Sequence, residues 1–210
     1  MVAATGNLFD LFNDDWLIAR HGVTCLSSER VIYQLIVKAG CMSTENSTQS
    51  GFDMRAYRDT LGCFATGVCV MLAEDEKGRV RGITANSFSS VSLHPPIILW
   101  SIDEHSDRFD LFVNAERFSV NILKAEHRDL STRFAQNVSA ELEPEQLGRG
   151  ANNVPYFKSG LGHMICDTSW RQKAGDHVVI FGDVKAFGST SGQGLGFFKG
   201  DYLTLEHGDF

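Results

Sequence analysis

From Phe52 onward the chain alternates short apolar runs with brief polar interruptions, and that rhythm predicts its elements. Asp53 is placed to cap a short helix whose Met54, Tyr57, Leu61 and Phe64 share one face. Gly67 to Ala73 reads as a strand, Glu74 to Gly78 as its acidic turn, and Arg79 to Ala85 as the returning strand. Ile97 to Ile102 is a further apolar strand, and Ser106 opens a predicted helix running to Asn114. Phe118 to Leu123 is a strand, and Glu126 to Gln136 a helix with Leu130 and Phe134 one turn apart. Asn137 to Pro155 is a polar loop. Two long strands, His163 to Lys173 and His177 to Phe187, flank Ala174-Gly175-Asp176, a hairpin signal. Leu195 to Leu205 supplies a last aromatic strand. Many strands, short turns and few helices predict a mainly β fold, an antiparallel barrel or sandwich with peripheral helices.

The first fifty residues break this rhythm. Leu8 to Ile18 is apolar but interrupted by Asp10, Asn13, Asp14 and Asp15. Ser28 to Ala39 reads as a helix, and Ser43 to Gly51 as a polar linker. The expected organisation is an extension over 1–50, dispensable or outside the native protein, and one functional domain over 51–210. On this reading the functional protein begins near Met42.

Composition narrows the function classes. The chain has 210 residues, 43% hydrophobic and 21% charged, as in a globular protein of one ordinary domain with an appendage. A net charge of -7 argues against nucleic acid or an anionic membrane as partner. Small phosphorylated ligands stay open, since a local helix N-terminus binds them against the global charge. Cys25, Cys41, Cys63, Cys69 and Cys166 form no C-x-x-C pair and are odd in number, which predicts free thiols in a reducing cytoplasm. No apolar run is long enough to span a membrane, and no secretory signal is visible.

The stretch from Gly82 to Pro96 carries the most chemistry. Thr84, Asn86, Ser87, Ser89, Ser90 and Ser92 crowd a bend between two apolar strands, closed by Pro95-Pro96. Such short donors and acceptors let a flat polar ligand approach the backbone. A Ser-rich surface loop would carry the same residues. Elsewhere, Gly192-Gln193-Gly194-Leu195-Gly196 fits neither a dinucleotide fingerprint nor a phosphate loop. There is no G-x-S-x-G and no H-E-x-x-H, and the seven histidines are scattered, so neither a serine nucleophile nor a metal site is predicted. Glu74-Asp75-Glu76 reads as a solvated turn. Ser106 reads equally as a phosphate site at a helix start and as a simple N-cap. His177 opens a strand after a turn, where rim residues are common. Trp170, Arg171 and Tyr202 fit a ligand border, barrel packing or surface alike.

Taken together, these residues resemble the short-chain flavin reductases, the small components of two-component flavin monooxygenases. The matching pieces are Tyr57 to Val68, Gly82 to Pro96, Glu116 to Leu123, Arg133-Phe134-Ala135 and Gly175-Asp176-His177, in family order over roughly Phe52 to Tyr202. The resemblance implies an FMN-binding split barrel, an antiparallel Greek-key β-barrel with a few peripheral helices. It implies that Thr84, Ala85, Asn86, Ser87, Phe88 and Ser89 wrap the isoalloxazine ring. Ser101, His105 and Ser106 would take the ribityl phosphate, with His177 and Tyr202 where nicotinamide binds. No protein residue is assigned a catalytic role, because hydride passes between the cofactors. The cofactors implied are FMN or FAD, with NADH or NADPH as co-substrate. A homodimer and a partner monooxygenase are the expected assemblies. One departure is Asp107, where family members often carry a basic residue or further hydroxyls; Arg108 or His105 would offset its charge. A split-barrel oxidase of the pyridoxamine-phosphate type would want more Arg and Lys. A non-catalytic flavin-binding module is the alternative from a different class.

Overall fold

The computed structural model describes residues 51–206; the predicted elements before Gly51, together with Cys25 and Cys41, lie outside the described residues. The chain divides into two compact units, Met1–Phe52 and Asp53–Phe210, and the second is described below. Helix α1 (Met54–Leu61) starts where expected, with the Asp53 carboxylate accepting from the Arg55 and Ala56 N–H groups at 2.9 and 3.1 Å. Its predicted apolar face is exposed, and Phe64 lies beyond the helix end.

The predicted strand over Gly67 to Ala73 is two strands. β1 (Thr66–Gly67) and β2 (Cys69–Glu74) join different sheets, and the chain passes from one to the other at Val68. β2 is buried along Cys69 to Ala73, which explains its unbroken apolar run. Cys69, Met71 and Ala73 face a core built on Trp100, Phe112 and Phe118. Val70 and Leu72 face a second core with Phe134, Leu123 and Leu195.

β3 (Val80–Ala85) returns along β2. The polar bend then yields a surprise: its second half is an edge strand, β4 (Ser89–Leu93), hairpinned onto β5 (Pro96–Asp103). All of β4 but the half-buried Ser92 is exposed, Val91 and Leu93 included, as an edge strand allows. Short helix α2 (Phe109–Asn114) and strand β6 (Arg117–Ile122) follow. The next helix is a 3-10 turn (Ala125–His127) continuing into α3 (Arg128–Gln136). The polar loop folds into a small pair, β7 (Leu147–Arg149) with β8 (Pro155–Phe157). The long hairpin is β9 (Gly162–Ala174) and β10 (His177–Ser189), with Gly175 at φ +64°. The aromatic tail is a hairpin rather than one strand: β11 (Gly194–Phe198) and β12 (Asp201–Leu205) turn at Lys199-Gly200, both at positive φ.

β1, β11 and β12 make a three-stranded sheet; the main sheet runs β3-β2-β6-β9-β10-β5-β4. That order forces curvature. A flat seven-stranded sheet is about 29 Å wide. The step from Ala85 in β3 to Ser89 in β4 is four residues and reaches at most about 14 Å. The two edges therefore approach at that end, and the sheet curls into a split barrel whose unpaired edges are bridged by Asn86-Ser87-Phe88, the seam. Helix α3 lies on β3, where Gly82 allows the approach: a Cβ there would stand 2.7 Å from the Phe134 ring.

Candidate functional site

The seam is built by spending most of its polar groups internally. Thr84 Oγ1 donates to the Ser131 carbonyl at 2.7 Å, tying β3 to α3. Ser87 stands opposite Ser101, where its side chain replaces its backbone in the ladder. Its Oγ accepts the Ser101 N–H at 3.0 Å and donates to the Ser101 carbonyl at 2.9 Å. Ala85 and Phe88 pack against the Trp100 core. Asn86 and Ser89 remain exposed. Ser89 Oγ bonds only locally, to the Ser90 carbonyl, and the Asn86 side chain bonds to no described residue.

The far end of β5 adds further predicted residues. Asp103 pairs with His177 across β5 and β10, and the Glu104 N–H bonds the Asp176 carbonyl at 2.9 Å. The Asp103 carboxylate accepts the His105 N–H at 2.8 Å and meets His105 Nδ1 at 3.1 Å; those bonds hold its pKa below the ordinary carboxylate value. Asp176 Oδ1 meets His177 Nδ1 at 2.7 Å, which lowers Asp176 in the same way. The two histidines are thereby held, each by its own carboxylate. Strand alternation puts Ser101, Asp103, His177 and Phe181 on the face away from the Trp100 core.

Ser106 does not cap α2, whose N-cap is Arg108. Its hydroxyl instead accepts the Arg108 N–H at 3.3 Å, two residues before that cap. Ser106 therefore opens no helix, and neither of its two sequence readings, the simple cap and the phosphate site at a helix start, holds as stated.

Tyr202 stands on the β3 flank of the seam, in the three-stranded sheet, while His177 stands on the β5 flank. The Tyr202 hydroxyl is 2.8 Å from Ser131 Oγ, and Arg128 lies over its ring at 5.3 Å. The fully buried Ser131 thus links Thr84 and Tyr202 through its carbonyl and hydroxyl. Sequence reasoning missed Ser131, although it falls three residues before Phe134 on the inward side of α3. It also missed the stack of Trp170 on Phe181, 3.7 Å between centroids, on the face that carries His177.

Cys69 and Cys166 are buried free thiols, pushed up to about 12 by burial, and Cys63 is an exposed one. They offer no nucleophile near the seam. Among the described residues no group of three or more His, Cys, Asp or Glu is arranged to hold a metal, and no helix is long and apolar enough to cross a membrane.

Comparison with known proteins matches residues 61–206 to the family described as flavin reductase like domain. A probable flavin reductase of Rhizobium meliloti is 39% identical over 157 residues, 75% of this chain and 50% of the relative. The reductase component of a flavin-dependent trigonelline monooxygenase from Acinetobacter baylyi is 35% identical, covering 72% of this chain and 49% of the relative. The FMN reductase (NADH) SmoA of Agrobacterium fabrum is 37% identical, covering 72% and 86%. Among solved structures, flavin reductase PheA2 aligns with a TM-score of 0.68 at 34% identity, over 74% of this chain and 100% of that one. The chain spans about half the length of the first of these relatives. The curled sheet with its bridged edges, the order of the matching segments and these similarities agree: the chain belongs to the flavin reductase-like domain family.

Proposed function

We propose that this protein is an NAD(P)H-dependent flavin reductase that transfers hydride from nicotinamide to FMN or FAD and supplies reduced flavin to a partner monooxygenase. One observation carries the reading: the seam, the His105-Ser106 turn and His177 converge at the same end of the β5–β10 pair. The bound flavin supplies the ring system that accepts the hydride. The chain's own work is holding and orienting. The free Asn86 amide offers a donor and an acceptor to a carbonyl-and-imide edge, with Ser89 beside it. The Ser87 clamp fixes where Asn86 stands. Ser101, His105 and Ser106 form the phosphate side. His177, steadied by Asp176, borders the nicotinamide approach, with Tyr202 bordering it from the other flank. No protein group needs to take or give a proton at the reacting atoms.

Relatives whose names specify FMN, NADH and a monooxygenase reductase component support the cofactors and the partner. A homodimer in the cytoplasm completes the proposal; the unpaired thiols Cys69 and Cys166 suit a reducing compartment. Steady-state oxidation of NADH and NADPH with added FMN, FAD and riboflavin tests it. Turnover that depends on flavin is expected. A protein that binds flavin and turns yellow without oxidising either nicotinamide would overturn it in favour of a binding module.

A further inference from the structure

Arg108 carries the most poorly compensated charge around the seam. It is 7% exposed, and its Nε and Nη2 are buried without a hydrogen-bond partner. Its guanidinium makes no hydrogen bond or ion pair with any described residue, neighbouring Asp107 and Asp110 included. Burial pulls its pKa below the ordinary value, and Asp107 pushes the other way. A buried guanidinium ordinarily has its fork filled by a carboxylate or carbonyls, because desolvation without that compensation is costly. The fold leaves this one unfilled.

The surroundings say what would fill it. The Arg108 N–H donates to Ser106 Oγ, so the guanidinium springs from the turn that carries His105 and Ser106. That turn is otherwise acidic; two of its carboxylates are engaged elsewhere, and Asp107 makes no hydrogen bond or ion pair with the guanidinium. Asp103 holds His105, and Glu104 pairs with Lys173. An anion arriving at Ser106 therefore meets a guanidinium whose fork no carboxylate fills, Asp107 acting on it only through space. A planar fork of N–H donors matches two oxygens of a phosphate, a geometry that lysine does not offer.

Resting on the flavin reading above, we propose that Arg108 is the phosphate-reading residue of the site. Its unpaired fork, with the Ser106 hydroxyl, takes the phosphate of the flavin ribityl chain and selects phosphorylated flavins over riboflavin. This accounts for how a chain with Asp107 after Ser106 holds an anion: the positive charge has moved one residue along and inward.

The test is the ratio of riboflavin to FMN dissociation constants, measured by fluorescence quenching on the full chain, its Arg108→Met and Arg108→Lys variants, and with inorganic phosphate as competitor. The expected result is at least tenfold preference for FMN in the parent, lost in Arg108→Met, with phosphate displacing FMN but not riboflavin. Arg108→Lys, which keeps the charge but not the fork, should retain only part of the preference. It is also the variant to read if Arg108→Met fails to fold. Preference kept in full by a folded variant would overturn the role of Arg108. Equal affinity of the parent for both flavins would overturn any phosphate contact, as expected for an arginine satisfied by water, while leaving the flavin reading standing. Failure to bind either flavin would overturn both.

Discussion

At the scale of single residues, the seam separates groups that hold the fold from groups that face outward. Thr84 and Ser87 have hydroxyls committed within 3 Å to α3 and β5, whereas Asn86 has an amide committed to nothing. Replacing Asn86 by Leu should weaken FMN binding about tenfold, or about 1.4 kcal/mol, with the melting temperature held. An unchanged dissociation constant would remove Asn86 from the site. His177 is different, because a carboxylate steadies it on the β5 flank. His177→Ala should raise the KM for NADH about fivefold or more while FMN affinity moves less, since an orienting contact acts on one substrate. Identical kinetics in variant and parent would exclude it. Which hydroxyls are structural was not legible in the sequence. Ser87 and Ser89 look alike there, and only the register of β4 on β5 sets Ser87 against the Ser101 backbone.

At the scale of elements, hydrophobic period located most strands and failed where tertiary pairing overrides it. The long hairpin at Gly175 was legible because alternation and turn chemistry agree. The break at Val68 was not, because Val68 is itself buried and apolar and runs without interruption into Cys69 to Ala73. The tail read as one strand because Lys199 adopts positive φ without a turn-favouring side chain. The 3-10 turn before α3 carries a pH prediction. His127 Nδ1 accepts the Lys124 N–H at 3.1 Å, which requires that nitrogen unprotonated. Burial lowers both His127 and His163 below the ordinary imidazole value. The unfolded chain then takes up protons on these rings at higher pH than the folded chain does. Their contribution is fully present above about pH 6.5 and is lost as pH falls through the lower folded values. The urea midpoint should hold from pH 7 to 8, fall between about pH 6.5 and 5, and flatten in a His127→Asn, His163→Phe double variant. A midpoint level across that range in the parent would refute the burial argument.

At the scale of the whole molecule, strand order and connection length together make the site. Seven strands curl until their unpaired edges approach at one end, and the three residues that bridge the edges include the exposed Asn86. The polar bend was recognisable from the sequence, but the topology that makes it a seam was not, since nothing local says that β3 and β4 are opposite edges. If closure positions Asn86, lengthening the bridge should separate binding from stability. Inserting Gly-Gly between Asn86 and Ser87 leaves the Thr84 tie, the Ser87 clamp and the β4–β5 hairpin in place. Loop-closure entropy for two added residues costs well under about 1 kcal/mol. The urea midpoint should therefore change little. Asn86 would be released from the clamp that sets its position, so FMN affinity should fall tenfold or more. Stability and affinity collapsing together would mean that the bridge only holds the barrel shut. Affinity unchanged by the insertion would mean that ligand recognition does not depend on how the edges meet.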